Sequence, residues 1–179
     1  GCKGGKTTGK GNEKGRYVEE QYELPVDTIT SITKLDNGDI MSVGSTDDGK
    51  VVKLISKDGG KTWDNQEIEL PRAEGFETNV SEITAFHNGE IIVFYFQSKD
   101  SEEQLKYAKI DNSGTVTDLN INGTNVVLRD FKMSDNGDIF YINMNTVVQV
   151  DGKTLEEKNT FEVGDSPLEY VLMGEQLII

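Results

Sequence analysis

Acidic side chains dominate the chemistry open to this chain: 32 Asp and Glu stand against 18 Lys and Arg, with one histidine, His87, and one cysteine, Cys2. Paired carboxylates can cleave a glycosidic bond, but so many acids guarantee accidental pairs, so their number alone points nowhere. A lone histidine excludes a multi-histidine metal site and leaves a Ser-His-Asp arrangement resting on His87 alone. His87 precedes Asn88-Gly89 and reads as a turn residue. The runs Asp36-Asn37-Gly38-Asp39 and Asp135-Asn136-Gly137-Asp138 suggest calcium by composition. A two-residue hairpin turn cannot wrap the roughly 6 to 8 oxygens that ion prefers, so both read as turns, and neither a metal site nor a cofactor is expected. GGKTTGKG at residues 4–11 has the composition of a phosphate-binding loop. It lacks the earlier glycine, the leading strand and the following helix that such a loop needs.

The elements that must position any chemistry are strands. From residue 28 onward, short runs rich in β-branched and aromatic residues alternate with Asn, Asp and Gly turns, and no window carries a helical stripe. Three segments repeat one another: 29–44, 81–96 and 128–143, each reading as strand, Asn-Gly turn, strand, with a weaker copy at 168–179. Asn-Gly favours the two positive φ angles of a type I′ turn, so tight two-residue hairpins are expected. Each unit continues with a further strand pair: 51–56 and 63–70, then 103–110 and 115–121, then 146–150 and 155–163. The markers Ile40, Ile91, Ile139 and Leu177 recur at a period of roughly 40 to 50 residues, the size of a propeller blade. The fold expected is all-β, a β-propeller of four-stranded antiparallel blades at about 28–71, 79–123 and 126–164, with an incomplete one at 166–179. A β-sandwich is the alternative. About three and a half blades fit the length, so either residues 17–24 add an edge strand to a short fourth blade or the chain is part of a longer propeller. The final Gln176-Leu177-Ile178-Ile179 reads as an apolar edge strand able to pair with another chain.

Charge separates the ends of the chain. A net charge of −14 and a pI near 4.4 oppose nucleic-acid binding, which needs clustered Lys and Arg. No stretch approaches the roughly 18 to 20 apolar residues of a membrane-spanning helix. Residues 1–16 are the exception to the acidity, with Lys3, Lys6, Lys10, Lys14 and Arg16 against Glu13, and their Gly- and Thr-rich composition predicts a flexible tether. Cys2 at its start, followed by a polar leash, resembles the N-terminus of a processed bacterial lipoprotein. That resemblance implies lipidation at Cys2, membrane contact through this residue only, and an extracytoplasmic location.

One octet is specific. Ser56-Lys57-Asp58-Gly59-Gly60-Lys61-Thr62-Trp63 resembles the Asp-box, or bacterial neuraminidase repeat, at every fixed position, with eroded copies at Asp111-Asn112-Ser113-Gly114-Thr115 and Asp151-Gly152-Lys153-Thr154-Leu155. Similar boxes occur in sialidases, sortilin-type receptors, photosystem II assembly factors and xyloglucan hydrolases. Asp58 suits a turn that gathers backbone amides, Gly60 a positive φ, and Trp63 an apolar plate, so Ser56, Asp58, Gly60, Thr62 and Trp63 read as structural. A sialidase would also need three arginines around the substrate carboxylate and a Tyr-Glu nucleophile pair. The arginines here are Arg16, Arg72 and Arg129, and the Arg-Ile-Pro sequence usual near the first sialidase strand is missing, with Tyr22-Glu23-Leu24-Pro25 no substitute.

In a four-stranded meander the Asn-Gly turns and the Asp-box share one face, and the second-to-third turns and interblade links share the other. Binding residues favour such loops on a rigid scaffold. Asp47, Asp48, Arg72, Glu74, Phe76, Lys99 and Asp100 are therefore the candidate ligand residues. The expected function is a non-catalytic, surface-anchored binding module for a protein or glycan. The alternative is part of a sialidase-like or xyloglucanase-like glycoside hydrolase.

Overall fold

The computed structural model describes residues 26–119, 127–164 and 169–179. Cys2, the rest of 1–16 and the possible edge strand at 17–24 lie outside these residues.

The first sheet is β1 (Thr28–Lys34), β2 (Ile40–Ser45), β3 (Val51–Ser56) and β4 (Asp64–Ile68). The second is β5 (Glu77–Ala85), β6 (Ile91–Lys99), β7 (Glu102–Ile110) and β8 (Val116–Asp118). The third is β9 (Arg129–Met133), β10 (Ile139–Asn143), β11 (Thr146–Val150) and β12 (Glu157–Glu162), followed by a hairpin of β13 (Val171–Met173) and β14 (Gln176–Ile178). In each sheet the spatial order is the sequence order and every pair is antiparallel. The described residues contain no helix.

Successive sheets stack face to face through their middle strands. Met41, Val43 and Val51 of the first meet Ile83, Ile91, Val93 and Ile110 of the second. Ile92, Phe94 and Tyr107 meet Ile139, Tyr141 and Val148 of the third. Phe140, Ile142 and Val147 then take Leu172 and Leu177 of the hairpin. Because a middle strand is covered on both faces, its sequence is a continuous apolar run, as in Ile91–Tyr95, whereas the outer β12 is exposed throughout. This stacking of four-stranded meanders is the architecture of β-propeller blades, three of them complete and the last with two strands among the described residues.

The hairpin turns differ from expectation. At Leu35–Asp39, Gly38 N–H donates to Leu35 O and Leu35 N–H to Asp39 O, and only Gly38 has a positive φ, of 90°. The loop is therefore three residues, a type I turn closed by a bulge at the glycine, rather than a two-residue type I′ turn. Asn37 keeps a negative φ because its side chain is occupied: Oδ1 accepts from Asp39 N–H at 2.9 Å. The same backbone pattern recurs at Phe86–Glu90 and Ser134–Asp138 between first and second strands, and at Thr46–Lys50 and Asp111–Thr115 elsewhere. Asn88 and Asn136 make the same clasp. Each first strand also carries an extra residue: Thr30 in β1, Ser81 in β5, and the Asp130-Phe131 pair facing Tyr141 in β9. Bulges of this kind increase the local twist of the innermost strand.

Candidate ligand face

The Asp-box residues make a self-contained turn. Asp58 Oδ1 accepts from the amides of Lys61 and Thr62 at 3.0 and 2.9 Å, and its Oδ2 from the Thr62 hydroxyl at 2.6 Å. Ser56 Oγ donates to Asp58 and accepts from Gly60 N–H. The Thr62 hydroxyl and amide hold the Asp58 carboxyl well below the usual carboxylate range. Trp63 donates from its indole to Gly60 O at 3.1 Å and packs on Val26, Val52 and Leu54. Trp63 thus covers the face of the first blade turned away from the second, and does not lie between two described blades. Asp151 keeps the box chemistry, accepting from Lys153 and Thr154 amides, while Leu155 takes the positive φ of 62°.

Groups the sequence did not single out lock this face across blade junctions. Buried Lys53 donates to Gly89 O at 3.1 Å in the neighbouring turn, and its burial lowers its pKa, against the opposing pull of Asp111 and Glu90. Lys109 does the same one junction on, donating to Gly152 O and pairing with Glu90 at 2.6 Å. His87 Nδ1 lies 3.0 Å from Asp36 of the preceding turn. Lys53, Lys109, His87, Asp58 and Asp151 are thus each engaged within this face, by their own turn or by a neighbouring one.

The opposite face is open. The link after β4 crosses above the start of the second blade, held by Ala73 N–H donating to Gln97 Oε1 at 2.8 Å and by Tyr95 OH donating to Pro71 O at 3.0 Å. Burial pushes the Tyr95 hydroxyl up to about 12, so it remains a donor at any physiological pH. Between this link and the β2–β3 loop lies a cleft of about 290 Å³, lined by Asp48, Gly49, Lys50, Glu69, Arg72 and Thr78 with Leu70 at its base. Gly49 is required here: its φ is 83°, and a Cβ on it would lie 2.3 Å from Thr78 O.

The cleft brings Asp48 and Arg72 together, two of the residues proposed from sequence. Asp48 accepts from the Thr46 hydroxyl, which with Lys50 at 3.8 Å keeps its carboxyl ionised and below its ordinary pKa, against a smaller effect of burial. Lys50 is shared with Glu67 at 3.5 Å. Arg72 has no ion-pair partner among the described residues, and Thr78 Oγ1 is buried with no hydrogen-bond partner among them. Asp47 lies outside the cleft lining, and its backbone amide donates to Asp27 Oδ2 at 2.8 Å. Lys99 lies beside Gly75 of the same link, next to exposed Glu74 and half-buried Phe76. Asp100 sits at the β6–β7 turn with a φ of 54°, outside the cleft lining. Lys50, Glu69 and Thr78 were missed because nothing in their local sequence distinguishes them from solvated strand-end residues.

Blades and a polar loop-face cleft define a β-propeller scaffold. No family model matches the sequence, and no curated protein matches it. Among solved structures, the chain is similar to a catalytically inactive virginiamycin B lyase from Staphylococcus aureus determined with quinupristin, at 16% identity and a TM-score of 0.42, covering 92% of this chain and 67% of that one. It is similar also to the selenomethionine-substituted form of the same lyase, at 14% identity and a TM-score of 0.41, covering 86% of this chain and 61% of that one. Both neighbours are β-propellers.

Proposed function

We propose that this chain is a binding module of the Asp-box type, which takes a protein or glycan ligand on the loop face and performs no chemistry on it. The observation that carries the reading is the asymmetry of the two faces. On the Asp-box face Lys53, Lys109 and His87 are spent on neighbouring turns and Asp58 on its own. On the loop face Arg72 and the Thr78 hydroxyl line a cleft with unspent donors. A guanidinium, an ammonium and two carboxylates around one cleft suit a ligand bearing hydroxyl and charged groups, held by hydrogen bonds rather than by apolar burial.

Anchoring by a lipid on Cys2 completes the proposal, with residues 1–16 as a basic leash that holds an acidic body near an anionic surface. Intact-mass analysis of the membrane fraction of the native host tests it. An acylated mass on Cys2 supports the anchor, and an unmodified thiol removes it. For the module itself, binding on a glycan array is compared with turnover of a fluorogenic sialoside. Binding without turnover is expected, and hydrolysis above a tag-only control would overturn the non-catalytic reading.

A further inference from the structure

The loop face around the first two blades carries an unbalanced charge. Residues 46–50, 67–78 and 97–104 hold nine Asp and Glu, all exposed, against Lys50, Arg72 and Lys99. Lys50 is shared by Asp48 and Glu67, and the other seven carboxylates have no cationic partner among the described residues. The Asp-box face differs, because Asp58, Asp111 and Asp151 each accept amides of their own turns and Glu90 pairs with Lys109. Like charges left unpaired on one face repel, so a cation brought to it is attracted by several carboxylates at once.

The chain itself carries such cations close to this face. Asp27 N–H donates to Ser45 O at the end of β2, and Asp27 Oδ2 accepts from Asp47 N–H, one residue from the cleft wall at Asp48. The 25 residues before Val26 therefore join the fold at the rim of the cleft. Residues 17–25 contribute Glu19, Glu20 and Glu23 and no cation, so they are a spacer and not the complement of the face. Residues 1–16 contribute Lys3, Lys6, Lys10, Lys14 and Arg16 against Glu13. As a coil, the ten residues from Arg16 to Pro25 span about 17 Å, which keeps the basic segment within reach of the cleft. Attachment at that distance gives an effective concentration on the order of millimolar, enough to populate a weak ionic contact.

We propose that residues 1–16 fold back onto the loop face, with their lysines among the carboxylates of 46–50 and 67–78, and compete there with an external ligand for the cleft. The competition rests on the reading of this face as the ligand site. The docking does not, since it needs no ligand.

The test uses the full chain with a nitroxide on the Cys2 thiol and reads paramagnetic broadening of the backbone amides by NMR. At low salt, broadening is expected across 46–50 and 69–78 and not at 56–63. A variant with Lys3→Glu, Lys6→Glu, Lys10→Glu and Lys14→Glu together keeps the same leash length and attachment, so it gives the baseline for mere proximity. The broadening above that baseline is expected to be lost in about 1 M salt, where the Debye length is about 3 Å. A variant combining Glu69→Gln, Glu74→Gln and Glu77→Gln, all at exposed positions, is expected to weaken it with an unchanged Tm. Equal broadening from the lysine and glutamate leashes, or broadening that survives high salt, would overturn the proposal. Broadening of the same amides in an isotope-enriched, unlabelled chain mixed with the spin-labelled one would assign the contact to a second copy and overturn it too. A failure of docking leaves the ligand-face reading standing, whereas a ligand that maps to 56–63 removes the competition and leaves the docking.

Discussion

Asp58 concentrates several interactions on one carboxylate: two backbone amides and two hydroxyls converge on it. Its pKa is depressed first by the Thr62 hydroxyl and then by the Thr62 amide. A carboxylate with a lower pKa folded than unfolded stabilises the fold at pH values above its unfolded pKa of about 4, and that contribution disappears as the pH falls through the folded pKa. The Asp58→Asn variant is expected to melt a few degrees below the parent at pH 7, with the gap closing as the pH drops below about 3. Thermal melts across pH 2 to 8 check this, and a gap that widens on acidification would contradict it. Tyr107 makes a sharper case because its partner is buried. Leu128 N–H donates to the Tyr107 hydroxyl at 2.7 Å, so Tyr107→Phe leaves that amide unpaired at a cost of about 1 to 2 kcal/mol in denaturant melts.

At the scale of elements, the sequence showed where strands lie but not how the turns between them close. Asn-Gly serves a type I′ turn and a type I turn with a glycine bulge equally well, and the choice depends on whether the asparagine side chain is free. Here Asn37, Asn88 and Asn136 each accept the amide beyond the glycine, which holds them at negative φ. A carboxylate follows each glycine, as Asp39, Glu90 or Asp138, and the asparagine Nδ2 donates to it; the residue types of that triplet stand in the sequence, but the clasp they form depends on the turn's backbone. The Lys53 and Lys109 struts were not legible at all, because they join residues 36 and 43 apart and nothing local marks them. In the cleft, Asp48 and Arg72 were reachable from blade topology, while Thr78 needed the observed approach of Gly49. Two elements carry testable strain or tightness. Met144, exposed at the β10–β11 turn, has a φ of 55°, a region costly for any residue with a Cβ, so Met144→Gly is expected to raise stability by about 1 kcal/mol. Gly152→Ala would place a Cβ 1.9 Å from Gly137 O and is expected to cost about 2 kcal/mol or more.

Among the described residues the sheets stack one on the next through shared core clusters, so stability is expected to be distributed from junction to junction. Tyr170 ties the last junction by donating to Asp130 O at 2.6 Å, and Leu172 and Leu177 are the hairpin's anchors on the third blade. The hairpin's far side carries Val171, Met173 and Ile178, exposed at 48%, 58% and 45%, which marks it as the least buttressed sheet. Tyr170→Ala is expected to accelerate hydrogen exchange in β13 and β14 while leaving β2, β3, β6 and β7 unchanged, and uniform acceleration would contradict a neighbour-by-neighbour array. The function proposed for the row rests on its two unlike faces. The most direct measurement is hydrogen-exchange mapping of the chain with a ligand recovered from the glycan or protein arrays. Protection is expected in 46–50 and 69–78 around the cleft, and it is expected to be lost together with binding in Arg72→Ala. Protection confined to 56–63 and the Asn-Gly turns, with Arg72→Ala binding normally, would put the ligand on the Asp-box face and contradict the proposed site.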